Sequence, residues 1–418
     1  MSVDQKAPRP SRRAMLAGAG LFTLGFHIPF KATAATLGGA PLAPEVNAWV
    51  VVKPDETVVI RIARSEMGQG TLTGLAQLVA EELGCDWARV TTEYPSPGQN
   101  LARKRVWGDY STGGSRGVRD SHEYVRKGGA AARMMLVAAA AKGWGVPEAE
   151  CRVERGVITH GPSGRSTTFG AVSAEAAKIA PPQDVALKDP KDWTIAGKPL
   201  KRLDTLPKLD GSQVYGLDLK LPGLLNAAIR DCPVTGGTVK SFDAASVAAM
   251  PGVKRVIPVG DSAVAVVADT FWRAKTALDA LQIVWDEGPN AAVSSETIAA
   301  TLREGLDADE AFVGNKAGDV AGALKGAARV VEAVYGVPFQ NHATMEPMNA
   351  TALWTPERCE VWTPTQNGEA ALAATADAAG LPATSCEVYK IHLGGGFGRR
   401  GATHDWVRQA VLIAKEMP

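Results

Sequence analysis

Residues 389–400 read YKIHLGGGFGRR. A strand-like run gives way to three glycines, one aromatic, a further glycine and two arginines. Glycine lacks a Cβ and reaches backbone conformations closed to other residues, so such a run marks a place where the main chain must approach something closely. Generic phosphate loops do not fit. The position two beyond Phe397 is Arg399 rather than the glycine of GxGxxG, and no Lys-Ser or Lys-Thr follows as GxxxxGK[ST] requires.

Working outward, SCEVYK (385–390) is the strand feeding this turn, and HDWVRQAVLIAKE (404–416) is the helix after it. CEVWTPTQNGEAALAATADAAG (359–380) has the same order of strand, turn and helix. Gln366 and Gly394–Gly398 therefore both fall where a strand ends and a helix begins. Two such helix N-termini can converge on one anion-like group. Upstream, ARVVEAVYGVPF (328–339) is expected as a strand, after a polar helical link over about 291–328.

The N-terminal half repeats the logic. NAWVVVKPDETVVIRI (47–62) is strand, turn and strand. In TLTGLAQLVAEELG (71–84), Leu72, Leu75, Ala76, Val79 and Leu83 fall on one face of a helix that Gly84 is placed to cap. Gly68, Gln69 and Gly70 occupy the turn into it, where free N–H groups attract oxyanions and a glutamine amide both donates and accepts. A plain strand-to-helix turn gives the same three letters. Further on, Ser111, Thr112, Gly113, Gly114 and Ser115 precede a long alanine-rich helix, a phosphate-compatible cradle to which Arg116 and Arg119 add charge. A solvated loop with a serine cap is the competing reading.

Residues 143–205 lose this regularity and read as a connector wrapping the surface. A small mixed unit spans about 208–290: strands around Pro222-Gly223, a helix in FDAASVAAM stopped by Pro251-Gly252, strands VKRVIPVG and AVAVVAD, a helix in TFWRAKTALDAL, and QIVWD.

Bulk properties narrow the classes. A length of 418 implies roughly two to four domains. Lys+Arg 45 against Asp+Glu 44 leaves +1, so no basic footprint argues for nucleic acid. The five cysteines form no CxxC and the histidines no HExxH, so the chain itself offers no iron–sulfur or zinc motif, and the thiols read as small core residues. Ser11, Arg12, Arg13 and Leu16 precede a short apolar run and an A-x-A site at Ala32–Ala34. This resembles a twin-arginine signal, removed on export, and the apolar run is too short for a stable membrane span. A periplasmic location with no integral membrane segment is the expectation.

MGQG with its helix, the STGGS loop, the PGLL…MPGV…AVVAD…WD unit, MEP, PTQN and GGGFG together resemble the large subunit of the molybdenum hydroxylases, the xanthine dehydrogenase/aldehyde oxidase family. In most of that family MGQG lies C-terminal to GGGFG. The reversed order here, the two arginines after GGGFG and the leader look like the family branch that holds the isoquinoline 1-oxidoreductase beta subunits. The resemblance covers about 45–418 and implies an α+β, multi-domain, molybdopterin-binding large subunit. Its parts would be a signal peptide (1–35), a molybdopterin-binding segment with connector (36–205), an a/b hammerhead domain (206–290) and the first part of the molybdenum-site domain (291–418), apparently truncated.

By that resemblance, Gln366 and the turn Gly395, Gly396, Phe397 and Gly398 approach the oxo group of a molybdenum centre. Phe397 walls the substrate side. Gly68, Gln69, Gly70 and residues Ser111–Ser115 hold the pterin and its pyrophosphate, as the cytosine dinucleotide form. The implied activity is oxidation of an N-heterocycle or aldehyde with water as oxygen source. Electrons would leave through a small [2Fe-2S] partner subunit, and a cytochrome c is one acceptor the resemblance admits. The family's glutamate base lies in a late GxGE motif that these residues do not contain, and Glu346 of MEP reads as structural. The chain alone is therefore expected to be inactive. A non-catalytic periplasmic binding or assembly protein keeping half of the fold is the alternative.

Overall fold

A computed structural model describes residues 45–309 and 312–417. The twin-arginine motif and the A-x-A site lie outside the described residues.

Strand β1 (Val50–Val52) pairs antiparallel with β2 (Val58–Arg61), Val50 opposite Ile60. The chain leaves β2 through residues 62–70, forms helix α1 (Thr71–Leu83), and returns as β3 (Val90–Glu93), parallel to β2 with Val58 opposite Val90. A parallel return needs a crossover, and α1 is that crossover. Gly84 ends α1 in the left-handed conformation with its N–H on Ala80 O, the cap its sequence position implies. Helix α2 (His122–Trp144) lies against α1, and Leu72, Leu75, Val79, Leu83, Met135 and Leu136 interdigitate in a shared core. Gly129 allows the close approach, since a Cβ there would stand 2.4 Å from Val79 O. Each fully buried Leu or Met of this seam is worth about 1.5–3 kcal/mol.

The expected connector holds more order than its sequence suggests. Residues 151–168 form an antiparallel meander of β4 (Cys151–Glu154), β5 (Val157–His160) and β6 (Ser166–Thr168), followed by helix α3 (Phe169–Ala176). Strands this short carry too few residues for a period of two to stand out. The remainder, 177–205, is irregular but pinned to α1. Glu81 Oε2 accepts the N–H groups of Thr194, Ile195 and Ala196, and Glu82 holds Arg126 and the N–H of Lys188.

In the mixed unit, β7 (Asn226–Asp231), β8 (Thr238–Phe242), β9 (Val253–Val259) and β10 (Ala263–Ala268) are followed by α4 (Phe271–Ala280) and β11 (Ile283–Asp286). β10, buried throughout, lies between β7 and β9, while β8 pairs with β11. The last sheet comprises β12 (Thr351–Trp354), β13 (Cys359–Thr363) and β14 (Cys386–Lys390). β13 and β14 run parallel in the register Cys359–Cys386, joined by crossover helix α5 (Gly368–Ala379), and α6 (Asp405–Lys415) completes the layer. The fold is α+β, with two strand–helix–strand units whose strands are parallel.

One expectation fails. Residues 328–339 form no strand. They are exposed and carry no regular structure, and among the described residues 328–345 make no backbone hydrogen bond. The alternation that suggests a strand is present, but a strand exists only with a ladder partner, which local sequence does not supply. Among the described residues, no helix is long and apolar enough to cross a membrane.

Candidate cofactor-binding site

In open sheets with parallel strands, ligands bind beyond the C-terminal strand ends. Here the loop after β2, the turn after β13 and the turn after β14 are three such ends, and they meet. Leu393 N–H donates to Glu66 O (3.0 Å), Ser65 Oγ to Thr365 O (2.8 Å), and Thr112 N–H to Gln366 O (2.7 Å). Lys390, buried at the end of β14, reaches Ala63 O and lies over the rings of Tyr94 (4.4 Å) and Tyr110 (4.9 Å). Burial, reinforced by Arg64, holds its pKa down to about 7.

Gln366 is the bridge. Its backbone N–H donates to Arg400 O (2.9 Å). Its side-chain Nε2 donates to Thr112 O (2.8 Å), and its Oε1 accepts the Gly398 N–H (3.0 Å). Rotating the amide by 180° would set donor against donor at Gly398, so the network fixes its orientation. One side chain thus joins the STGGS loop to the GGGFG turn. Gly396 leaves room for it: a Cβ there would stand 2.7 Å from both Gln366 Oε1 and Met67 Sδ.

Three sequence expectations change at this point. First, the turn into α1 does not offer its glycine amides to a ligand. Glu66, only 1% exposed, accepts the N–H groups of Gly68 (2.9 Å), Gly70 (3.0 Å) and Leu72 (3.0 Å). A carboxylate at a helix N-terminus satisfies orphan donors and the dipole together. Second, the Gln69 amide folds back within its own loop, accepting from Met67 N–H (2.7 Å) and donating to Ser65 O (2.9 Å). Third, Gly398 N–H is taken by Gln366.

Other groups remain available. Among the described residues, the backbone N–H groups of Gly113, Gly114 and Ser115 have no protein acceptor, nor do those of Gly395, Gly396 and Phe397. Gly114 (φ 58), Ser115 (φ 57), Gly395 (φ 103) and Phe397 (φ 53) are left-handed, which turns successive amides into a concave anion-binding nest. Ser115 and Phe397 hold this conformation with a Cβ, a strain that clusters at binding sites. Among the described residues only one Gln366 Nε2 hydrogen has an acceptor. Arg116 folds over the first loop, 3.2 Å from Ser111 Oγ, whereas Arg119 pairs with Asp120 (3.1 Å). Thr112 is buried and accepts from Ser65 N–H (2.8 Å). Phe397 is 70% exposed beside the second loop.

The site's supports are invisible as motifs. Glu346 Oε2 accepts the Gly394 N–H (2.9 Å) and lies 3.2 Å from Arg400, while Oε1 accepts Gly216 N–H (3.0 Å) and Asn349 Nδ2 (3.0 Å). This is the structural role its sequence context suggests. Arg202, from the supposed connector, donates to Gly68 O (2.9 Å) and Glu66 Oε1 (3.1 Å) and pairs with Asp204. Burial pushes the Asp204 carboxyl up, but bonds from Arg202 and Lys208 outweigh it and hold the group well below the usual carboxylate range. The nearest sequence signal for Glu66 is an acidic residue shortly before the first turn of a periodic helix.

Residues 3–205 and 306–417 each match a family model described as a molybdopterin cofactor-binding domain. The chain belongs to the molybdenum hydroxylase family. Among its curated relatives are the beta subunit of an isoquinoline 1-oxidoreductase of Brevundimonas diminuta (28% identical, covering 94% of this chain and 56% of the relative) and a nicotinate dehydrogenase subunit of Pseudomonas putida (26%, 97% and 34%). A membrane-bound aldehyde dehydrogenase of Gluconacetobacter polyoxogenes, its name qualified as pyrroloquinoline-quinone, is 29% identical over 89% of this chain and 49% of its own length. This molybdenum hydroxylase chain thus spans about half the length of two of these curated relatives and about a third of the other.

Proposed function

We propose that this chain is the cofactor-holding part of a molybdenum-dependent oxidoreductase acting on an aldehyde or an N-heterocycle, with water as the oxygen source. The observation that carries the reading is the pair of bare amide loops, Gly113–Ser115 and Gly395–Phe397, joined through one fixed glutamine. The relatives' names supply the substrate classes.

The residues fit a molybdopterin dinucleotide. Three adjacent donors at Gly113–Ser115, with Arg116 above them, suit a pyrophosphate. Gly395–Phe397 and the second Gln366 Nε2 hydrogen suit an electronegative oxygen of the cofactor's metal end. Bound there, the cofactor would supply the two-electron chemistry that no side chain of this site can. The chain's own residues then bind, orient and shield. Phe397 offers a flat apolar wall to an aromatic substrate. Glu66 and Glu346 already spend their carboxylates on backbone amides, a structural use, so the general base is placed outside this pair. The cytosine form of the dinucleotide, a [2Fe-2S] partner subunit, a cytochrome c acceptor and twin-arginine export to the periplasm complete the proposal.

The test is cofactor content. The chain is purified from a host that makes molybdopterin dinucleotides, molybdenum is measured by mass spectrometry, and the nucleotide released by acid is identified. Near-stoichiometric molybdenum with cytidine monophosphate is expected. A folded chain that carries neither overturns the assignment.

A further inference from the structure

We propose that His404 is a positioning residue for Gln366, acting through the hydroxyl of Thr365. The inference rests on the reading of Gln366 as a cofactor-facing residue. His404 sits at the N-cap of α6 with a left-handed backbone (φ 49) and is 1% exposed. A non-glycine residue held in that region is strained unless the surroundings fix it. They do. The imidazole stacks on Trp406 (5.0 Å, 29°), whose Nε1 donates to Thr363 Oγ1 (2.9 Å) at the end of β13.

The ring's hydrogen bonds specify its tautomer. Nδ1 lies 3.0 Å from Ala402 O, which can only accept, so Nδ1 carries the hydrogen. In the neutral ring Nε2 is then bare. Thr365 Oγ1 lies 2.9 Å from it, so the hydroxyl proton points at the ring. The hydroxyl oxygen in turn accepts the Asn367 N–H (3.0 Å), and Thr365 O accepts Ser65 Oγ. The residues on both sides of Gln366 are therefore fixed by one rotor whose direction His404 sets.

The alternative state has a definite structure. A protonated ring would turn Nε2 into a donor toward Thr365 Oγ1. The hydroxyl proton would then swing to Asn367 O (3.1 Å) or Arg400 O (3.3 Å). Arg400 O already accepts the Gln366 backbone N–H, so the swing would bring a second donor onto the carbonyl that holds Gln366. The groups facing the ring are the Ala402 and Asn367 carbonyls, Asp405 on its own helix, the Arg399 guanidinium that holds Asp405 (2.8 and 2.6 Å), and the Trp406 ring. Burial dominates and lowers the ring's proton affinity, so the neutral, Gln366-fixing state holds through neutral pH and yields only in acid.

The experiment is amide hydrogen exchange of a peptide spanning 363–370 in the full chain, corrected for intrinsic rates, at pH 5 and pH 7.5. His404→Phe keeps a ring on Trp406 and removes the acceptor, while His404→Gln keeps one. Wild type should lose protection in acid. His404→Phe should exchange about five- to tenfold faster at pH 7.5, the equivalent of one hydrogen bond, and show no further change at pH 5. His404→Gln should restore most of the protection. If His404→Phe does not fold, Thr365→Val, which deletes the hydroxyl at constant volume, should give the same fast, pH-independent exchange. Wild-type protection in the folded variants at both pH values overturns the proposal. Molybdenum content of the same samples separates the two readings. Wild type without molybdenum sinks the cofactor reading and leaves exchange to decide the role of His404. Full molybdenum in a His404→Phe chain that exchanges fast overturns the link from His404 to cofactor retention.

Discussion

Residues 328–345 and residues 346–400 are neighbours in the chain and opposites in how their polar groups are used. In 346–400 the turns at the site are held both by side chains and by partner loops. Glu346 holds Gly394 and Gly216, Arg400 holds Glu346, and Gln366 holds Thr112 and Gly398. In 328–345 the backbone has no partner among the described residues, and Tyr335 and Phe339 stand 90% and 84% exposed. Both stretches are rich in apolar residues. The difference is whether the structure provides complementary groups, and it predicts opposite responses to substitution.

The largest effect should come from the most enclosed pair. Arg400 has no exposed surface, and Glu346 is its carboxylate partner. Glu346→Ala leaves a buried guanidinium unpaired and two glycine amides without acceptors, and breaking such a pair costs about 3–5 kcal/mol. Thermal or urea unfolding should show it. A loss below about 1 kcal/mol would mean that water reaches this pair and that the locked region is less closed than its geometry implies.

Next in size is a pH effect at Lys390. Its folded pKa, near 7, lies below the ordinary lysine value of 10.5. Between those values the unfolded chain binds a proton that the folded chain does not, so stability rises as pH increases from 7 toward 10. The full slope for one proton is about 1.4 kcal/mol per pH unit. Lys390→Met should flatten the difference curve over pH 7–9, measured by urea unfolding against wild type. Parallel curves for the two proteins would show that Lys390 is not the group responsible.

Smaller again is the steric test of the bridge. A Cβ at Gly396 would press on Gln366 Oε1 and Met67 Sδ. Overpacking of this kind costs about 1–3 kcal/mol. Gly396→Ala should therefore destabilise the chain and lower its molybdenum content. Adding Gln366→Ala should cost less than the sum of the two single losses, because it removes one of the two clashing atoms while Met67 Sδ remains. Additive losses would show that Gln366 and Gly396 do not touch in solution.

The sequence carries the motifs and hides what supports them. YKIHLGGGFGRR, CEVWTPTQN and the periodic helix after MGQG are legible because they combine a local period with glycine at a strand end. All three fall at converging strand termini in the structure. The supports are not legible. Arg202, Lys390 and His404 act across separations of 39 to 327 residues, and nothing in a local window distinguishes them from ordinary surface groups, while Glu66 leaves only the faint signal of an acid just before a helix. The failed strand at 328–339 has the same cause in reverse. Its alternation is local and real, whereas its pairing would be long-range.

The smallest expected effect on stability lies in that unpaired stretch. Val331, Tyr335 and Val337 are each more than three-quarters exposed, and strand pairing here would set all three on one face. Replacing all three with Thr removes apolar surface from water rather than from a core, so unfolding should shift by no more than about 0.5 kcal/mol per site. Association is where the change should appear. A segment whose N–H and C=O groups have no partner among the described residues, and which exposes apolar side chains, is a template for pairing with another chain. The triple variant should therefore remain monomeric at concentrations where wild type self-associates, as measured by light scattering or sedimentation. If the variant unfolds far more easily than wild type, the segment is packed in solution and the contrast between the two regions fails. If wild type itself is monodisperse at high concentration, the face is apolar but not adhesive, and the free backbone rather than its side chains becomes the feature to explain.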